Sequence, residues 1–196
     1  MRTPTLLFVL LVTCNMNANA QTSVRSFEPK IIQPTRSTSL PASKVDFDAF
    51  DSLTREVKEY RKTRLVDLNE FLSMSKEQNT IILDTRSTEM YNLKHLKGAV
   101  HLDFSDFTQA NLQKLIPGGN IRILIYCNNN IANDPIYFVT KSVRPTISRP
   151  KEITMALNIP TFINLYGYGY KNVYELADLV PAFFSPIKFE GTAVPK

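Results

Sequence analysis

A lone thiol at the end of an apolar run is the feature of this sequence with the clearest chemical potential. The stretch RILIYCNNNIANDP runs from Arg122 to Pro135, and in it four apolar or aromatic residues lead into Cys127, which three asparagines follow. A thiolate is a strong nucleophile that can form a covalent intermediate. A buried cysteine can equally be an inert packing residue. The elements around Cys127 have to distinguish these two possibilities.

The first twenty residues, MRTPTLLFVLLVTCNMNANA, have the pattern of a secretory signal peptide. One arginine precedes an apolar stretch at 6–12, and the segment ends in the A-x-A cleavage site Ala18-Asn19-Ala20. The apolar stretch is too short to span a bilayer. We therefore predict cleavage after Ala20 and export, to a bacterial periplasm. A lipoprotein processed at Cys14 is the weaker alternative, because Thr13 stands where a small residue is usual.

Cleavage at this site would leave Cys127 as the only cysteine of the exported chain. Cys127 would then be buried and inert, reactive, or bonded to another chain. Loss of Arg2 lowers the net charge by one from +5, to +4, and the basic residues form no run. No nucleic-acid or membrane-surface partner is therefore expected. His95 and His101 alone do not make a metal site, and we expect neither a metal nor a cofactor.

The alternation of short apolar runs with helical stretches predicts an α/β fold. Residues 21–45 are rich in Ser, Thr and Pro and predict an extended linker, whereas 46–62 predict an amphipathic helix that packs on the following domain. Runs that are apolar on both faces and separated by helices indicate a parallel sheet covered on both sides. The expected strands lie at 65–67, 80–83, 98–102, 123–126 and 173–174.

The predicted sheet gives Cys127 a defined position. In open parallel sheets, ligands bind beyond the carboxyl ends of the strands. Cys127 directly follows the apolar run 123–126, so this strand would bring the thiol to the binding edge.

Four segments, in order, resemble the rhodanese-like (sulfurtransferase) family over roughly residues 60–180. Asp84 and Arg86 match its D-x-R, HLKGA at 95–99 matches its H-I-x-G-A, and GYKNV at 169–173 matches its G-(Y/F)-x-N-V. Cys127 falls where the family has its catalytic cysteine. The resemblance implies a central parallel sheet of about five strands with helices on both faces. The domain would cover 63–182, with a C-terminal tail at 183–196.

The resemblance also implies an activity. A rhodanese-type cysteine attacks a sulfane sulfur, becomes a persulfide and passes the outer sulfur to an acceptor. The implied partners are a small sulfur-containing anion and a thiol acceptor. Asp84 and Arg86 would form an ion pair that supports the base of the active loop. The substrate-binding or anion-binding loop would comprise Asn128, Asn129, Asn130, Ile131, Ala132 and Asn133.

This loop departs from the family pattern C-x-x-G-x-(R, K or S). Asn130 stands at the glycine, Ala132 stands at the last position, and 133–152 look like an insertion. Because no Lys or Arg lies between Arg122 and Lys141, an anion would have to be held by backbone N–H groups and asparagine amides. The alternative is that the asparagines only satisfy the backbone groups of the turn itself. Asparagine tolerates left-handed backbone angles, which would allow residues 128–130 to form a tight loop.

Two further expectations concern charge near the thiol. Asp134 would oppose a thiolate, so its side chain should face away from the sulfur. The insertion carries four cations that either fold back to supply the missing positive charge or remain solvated. These cations are Lys141, Arg144, Arg149 and Lys151.

Two alternatives to a sulfurtransferase follow from the same residues. A catalytically silent rhodanese-like module would bind a small ligand or a partner protein, and the altered loop favours it. A phosphatase related to the cell-cycle dual-specificity enzymes would need an arginine in a C-x5-R loop. Asn133 occupies the position of that arginine, so the guanidinium that recognises phosphate is missing.

Overall fold

The computed structural model describes residues 40–184 and 186–195 of the chain. Two units divide the chain, Met1–Ser43 and Lys44–Lys196, and all elements named below belong to the second. The predicted signal peptide with Cys14, and nearly all of the predicted linker, lie outside the described residues. Across the described ranges, no helix is both long and apolar enough to cross a membrane.

Five parallel strands form the central sheet, as predicted. Their spatial order is β1-β9-β5-β2-β4, with β5 in the middle. Three two-stranded pairs join β10 to β6, β11 to β3 and β7 to β8. The strands are β1 Leu65–Val66, β2 Thr80–Asp84, β3 His95–Leu96, β4 Ala99–His101, β5 Arg122–Tyr126, β6 Ile131–Ala132, β7 Ser142–Val143, β8 Ile153–Thr154, β9 Val173–Leu176, β10 Val180–Pro181 and β11 Phe189–Glu190.

Helices cover both faces of this sheet, which confirms the predicted α/β class. The α-helices are α1 Phe47–Arg61, α2 Leu68–Met74, α3 Thr88–Leu93, α4 Gln109–Leu115 and α5 Asn158–Gly167. Successive residues of a strand point to opposite faces. Accordingly Leu124 of β5 packs in the cluster that contains Phe71 of α2, and Ile125 packs in the cluster that contains Phe162 of α5.

Helix α1 is integrated into the domain core. It begins at the N-cap Asp46, whose Oδ1 accepts the N–H of Ala49 at 2.9 Å. Val57 is 1% exposed and packs in the α5-side cluster. Tyr60 donates its hydroxyl to the carbonyl of Lys171 at 2.7 Å. These contacts hold the carboxyl end of α1 against the sheet.

Helix α5 and the two-residue strands other than β1 were not predicted from the sequence. The N-cap of α5 is Leu157, which makes no side-chain cap hydrogen bond, so the usual start signal is absent. The strands β7 and β8 form an antiparallel hairpin within the predicted insertion. Strand β6 pairs with β10 across almost fifty residues of sequence. Such pairings leave no periodic pattern in the sequence.

Replacement of Val57 by Ala tests whether α1 belongs to the domain. The lost methyl groups and the remaining cavity should reduce the free energy of unfolding by about 2 kcal/mol. Phe47→Ala on the same helix, where the side chain is 79% exposed, should change it by less than about 0.5 kcal/mol. Denaturant unfolding measures both values. Equal effects of the two substitutions would contradict the packing of α1 described above.

Candidate functional site

Cys127 lies at the carboxyl end of the central strand, as predicted, but its sulfur is enclosed. The residue is 1% exposed and is a free thiol. It is the N-cap of a one-turn 3-10 helix, Asn128–Asn130, and its Sγ accepts the N–H of Asn129 at 3.4 Å. Its own N–H donates to Oδ1 of Asn130 at 3.0 Å. The chain therefore turns sharply at the thiol and closes over it.

A line of hydrogen bonds connects the thiol to an ion pair. The thiol donates to Oδ1 of Asn158 at 3.2 Å, and Nδ2 of Asn158 donates to Oε1 of Glu175 at 2.6 Å. Two donors of Arg61, Nε and Nη2, bind the two carboxylate oxygens of Glu175 at 2.5 Å each. This line joins β5, α5, β9 and α1. Arg61, Asn158 and Glu175 were not among the predicted site residues.

Burial raises the pKa of the Cys127 thiol above its ordinary value. The backbone N–H groups of Asn129, Asn158 and Leu157 act in the opposite direction, and the Glu175 carboxylate raises the pKa further. The net direction is upward. At neutral pH the resting cysteine is therefore a protonated thiol, in agreement with its role as donor to Asn158.

The three asparagines form a tight turn without using the left-handed backbone angles that asparagine tolerates. Residues 128–130 form the 3-10 turn, and among the described residues other than glycine only Asn79 and Asn133 have positive φ. Asn130, at the glycine position of the family, donates its side-chain amide to the carbonyls of Leu176 and Asp178 at 2.8 and 3.1 Å. Its side chain thus fixes the loop to the end of β9.

The second half of the predicted loop is committed to secondary structure. Ile131 and Ala132 form β6 and pair in parallel with β10, and Ile131 packs in the core at 1% exposure. Asn133 then turns the chain with φ of 62°. The N–H groups directed at the sulfur come instead from Asn129 and from the start of α5. Asn128 is buried, and its Oδ1 has no hydrogen-bond partner in the described part of the chain.

Asn129 connects the loop to the insertion. Its Nδ2 donates to the carbonyl of Lys141 at 2.9 Å and to Oγ1 of Thr154 at 3.0 Å, and its Oδ1 accepts the N–H of Lys141 at 2.9 Å. Asn129 therefore attaches the hairpin β7–β8 to the 3-10 turn that follows Cys127. The four cationic residues of the insertion are all exposed, which agrees with the solvated alternative.

The expected ion pair of Asp84 and Arg86 is present and fully buried. Nη2 of Arg86 lies 2.7 Å from Oδ2 of Asp84, and the exposures of the two side chains are 2% and 0%. Arg86 also donates to the carbonyls of Lys94 at 2.7 Å and Tyr137 at 2.9 Å. Tyr126 donates its hydroxyl to Asp84. The pair thus holds together the end of β2, the end of β5 and the start of the insertion.

Other polar groups near the loop are paired away from the sulfur. Asp134 forms an ion pair with Lys94 at 2.8 Å, so its charge is compensated there. His95 bonds to the carbonyl of Tyr91 and to Glu190. His101 bonds to Thr88 and to the carbonyl of Asp84. These bonds occupy both ring nitrogens of each histidine.

A polar cleft of about 190 Å³ lies beside the thiol. Its lining includes Arg61, Asn129, Asn130, Asn158 and Glu175, so the side chains around the sulfur also form the cleft wall. A second opening of about 220 Å³ lies at α2 and is lined by Leu68, Phe71, Ile187 and neighbouring lysines. That opening has neither a cysteine nor an acidic side chain in its lining, so we take the asparagine-lined cleft as the candidate site.

The chain belongs to the rhodanese-like domain family, whose model matches residues 67–178. This range contains Cys127, Asn158 and Glu175, whereas α1 with Arg61 precedes it. No curated protein matches the sequence significantly. One similar solved structure is the crystal structure of the BH2092 protein from Bacillus halodurans, with 15% identity and a TM-score of 0.44. The match covers 74% of this chain and 88% of that one.

Replacement of Asn129 by Ala tests the anchor of the hairpin. Loss of three hydrogen bonds should reduce the free energy of unfolding by about 1–3 kcal/mol and should increase protease cleavage within 141–153 of the native protein. Asn92→Ala, at an exposed helical position, should change stability by less than about 0.5 kcal/mol and leave the cleavage pattern unaltered. If the hairpin of the Asn129 variant resists protease as well as wild type does, Asn129 is not its anchor.

Proposed function

We propose that this rhodanese-like domain is a sulfurtransferase in which Cys127 carries the sulfur as a persulfide. The observation that supports the proposal is the polar enclosure of the sulfur at the carboxyl end of β5. A structural cysteine packs as a small apolar side chain and needs no polar partners. Here the Asn158 side chain and backbone N–H groups from two elements surround it. Buried polar groups of this kind cluster at functional sites.

The proposed reaction has two balanced steps. With thiosulfate as donor, the Cys127 thiolate attacks the outer sulfur, the S–S bond of the donor breaks, and sulfite leaves with the bonding electron pair. The product is a Cys127 persulfide anion. A thiolate acceptor then attacks the outer sulfur of that persulfide, takes it, and regenerates the Cys127 thiolate. No external oxidant or reductant is needed, because the sulfane sulfur changes only its partner.

The buried thiol sets two conditions on this reaction. The raised pKa means that the nucleophilic thiolate is scarce at neutral pH, so sulfur uptake should be slow there and faster at higher pH. The exposure of 1% means that a donor can reach the sulfur only if the cleft wall opens. Asn158 and Asn129 separate the cleft from the thiol and are the side chains that would have to move.

A second candidate function is a catalytically silent rhodanese-like binding module. The burial of Cys127 together with its raised pKa favours this alternative specifically, since both oppose nucleophilic attack. In this case the cleft would hold a ligand and the thiol would only support the wall. The native protein would then resist alkylation at Cys127 at every pH below that of unfolding.

We also propose that the protein is exported, on the basis of the pattern in residues 1–20. Expression in a bacterial host and N-terminal sequencing of the mature protein test this. A chain that begins at Gln21 agrees with cleavage after Ala20. A chain that begins at a lipid-modified Cys14 is still exported but contradicts cleavage after Ala20, whereas a chain that retains Met1 contradicts export.

Sulfur uptake tests the proposed activity directly. Protein with Cys14→Ser, in which Cys127 is the only thiol, is incubated with thiosulfate or with an organic persulfide and analysed by intact mass spectrometry. We expect a gain of one sulfur atom, lost on addition of a thiol acceptor, with an initial rate that rises about tenfold per pH unit below the pKa of the thiol. The additional Cys127→Ser substitution should abolish the gain. No gain with either donor across the pH range in which the protein stays folded would overturn the sulfurtransferase proposal.

A further inference from the structure

The ion pair of Arg61 and Glu175 is connected to the thiol by a continuous line of hydrogen bonds. Glu175 is 2% exposed and is connected to Cys127 through a single side chain, Asn158. Arg61, at the carboxyl end of α1, neutralises it from the cleft side, with 29% of its own side chain exposed. In the surrounding elements, Asp84 pairs with Arg86 and Asp134 pairs with Lys94. The side chain of Lys141, on the insertion, is exposed.

Glu175 determines which way the Asn158 amide faces. A carboxylate accepts hydrogen bonds and donates none, so the amide nitrogen of Asn158 must point at Glu175. The amide oxygen is then directed at Cys127, where it accepts the thiol proton. A thiolate at Cys127 would face this oxygen, with electron density opposed on both atoms. The orientation imposed by Glu175 therefore favours the protonated form of the sulfur.

We propose that Glu175 and Arg61 form a positioning pair that controls how readily Cys127 forms a thiolate. Glu175 holds the Asn158 amide with its oxygen towards the sulfur and adds a negative charge nearby. Arg61 offsets that charge. The pair acts through Asn158 and does not itself contact the reacting sulfur. Its effect on sulfur transfer rests on the function proposed above, whereas its effect on thiol ionisation does not.

The two members of the pair should have opposite effects. In Glu175→Gln the negative charge is absent. Because glutamine, unlike a carboxylate, offers a donor as well as an acceptor, the Asn158 amide can invert and turn its oxygen away from the sulfur. An N–H would then face the sulfur and stabilise the thiolate. In Arg61→Gln the carboxylate remains without its neutralising partner, which disfavours the thiolate. A merely structural pair would behave differently. Loss of either member would loosen the same contacts and would shift the pH at which the thiol ionises in the same direction.

The test follows the thiolate by its ultraviolet absorbance as a function of pH, in full-length protein with Cys14→Ser and without any sulfur donor. Glu175→Gln should move the transition to lower pH and speed alkylation at neutral pH about tenfold, and Arg61→Gln should move it to higher pH and slow alkylation. Arg64→Gln is the matched control. Arg64 lies three residues from Arg61, donates to the hydroxyl of Tyr174 and forms no ion pair with the residues that the structure describes. This control should leave the transition unchanged.

The double substitution Arg61→Gln with Glu175→Gln guards against failure of a single variant to fold, since it leaves no unpaired buried charge. Its transition should lie between those of wild type and Glu175→Gln. Thermal unfolding establishes that each variant is folded. Shifts in the same direction for both single variants, or a double variant that behaves as Arg61→Gln does, would overturn the proposal. If the ionisation shifts as expected and yet no variant takes up sulfur, the positioning role stands and the sulfurtransferase proposal fails.

Discussion

The hydrogen bond from the Cys127 thiol to Asn158 is the interaction on which the candidate site depends. A buried polar group without a partner is unfavourable, and the thiol, the Asn158 amide and the Glu175 carboxylate are each paired with the next. Asn158 joins the thiol to Glu175, and Glu175 joins Asn158 to Arg61. The protonation state of the sulfur is therefore a property of the whole cluster and not of the cysteine alone.

This cluster explains why several separate elements meet at one edge of the sheet. Strand β5 ends at the thiol, β9 supplies Glu175, and the first residue of α5 is Asn158. Helix α1 adds Arg61 from outside the range that the family model matches. The segment before the rhodanese-like domain thus contributes a side chain to the site. The candidate site is therefore completed by a helix that precedes the matched range.

The sequence predicted the sheet well because buried parallel strands have a recognisable local pattern. The apolar runs at β2 and β5 defined two central strands, and the position of Cys127 followed from the end of β5. Residues 128–130 do form a tight turn, but they form it as a 3-10 helix, without the left-handed backbone angles that asparagine would tolerate. The Arg61–Glu175 pair could not be predicted, because its members are 114 residues apart and only the folded chain brings them together. Asn158 could not be predicted either, because α5 begins without the capping side chain that usually marks a helix start.

The pH at which wild-type Cys127 loses its proton tests most directly whether its surroundings favour the protonated thiol. NMR of a carbon-13 label at its Cβ measures this pH in native and in denaturant-unfolded protein. We predict that the native protein releases the proton at higher pH than the unfolded chain does. The thiol then stabilises the fold at pH values below its unfolded pKa, and this contribution is lost as the pH rises through the native pKa. A native transition at or below the unfolded one would contradict the account, because it would mean that the enclosure favours the thiolate.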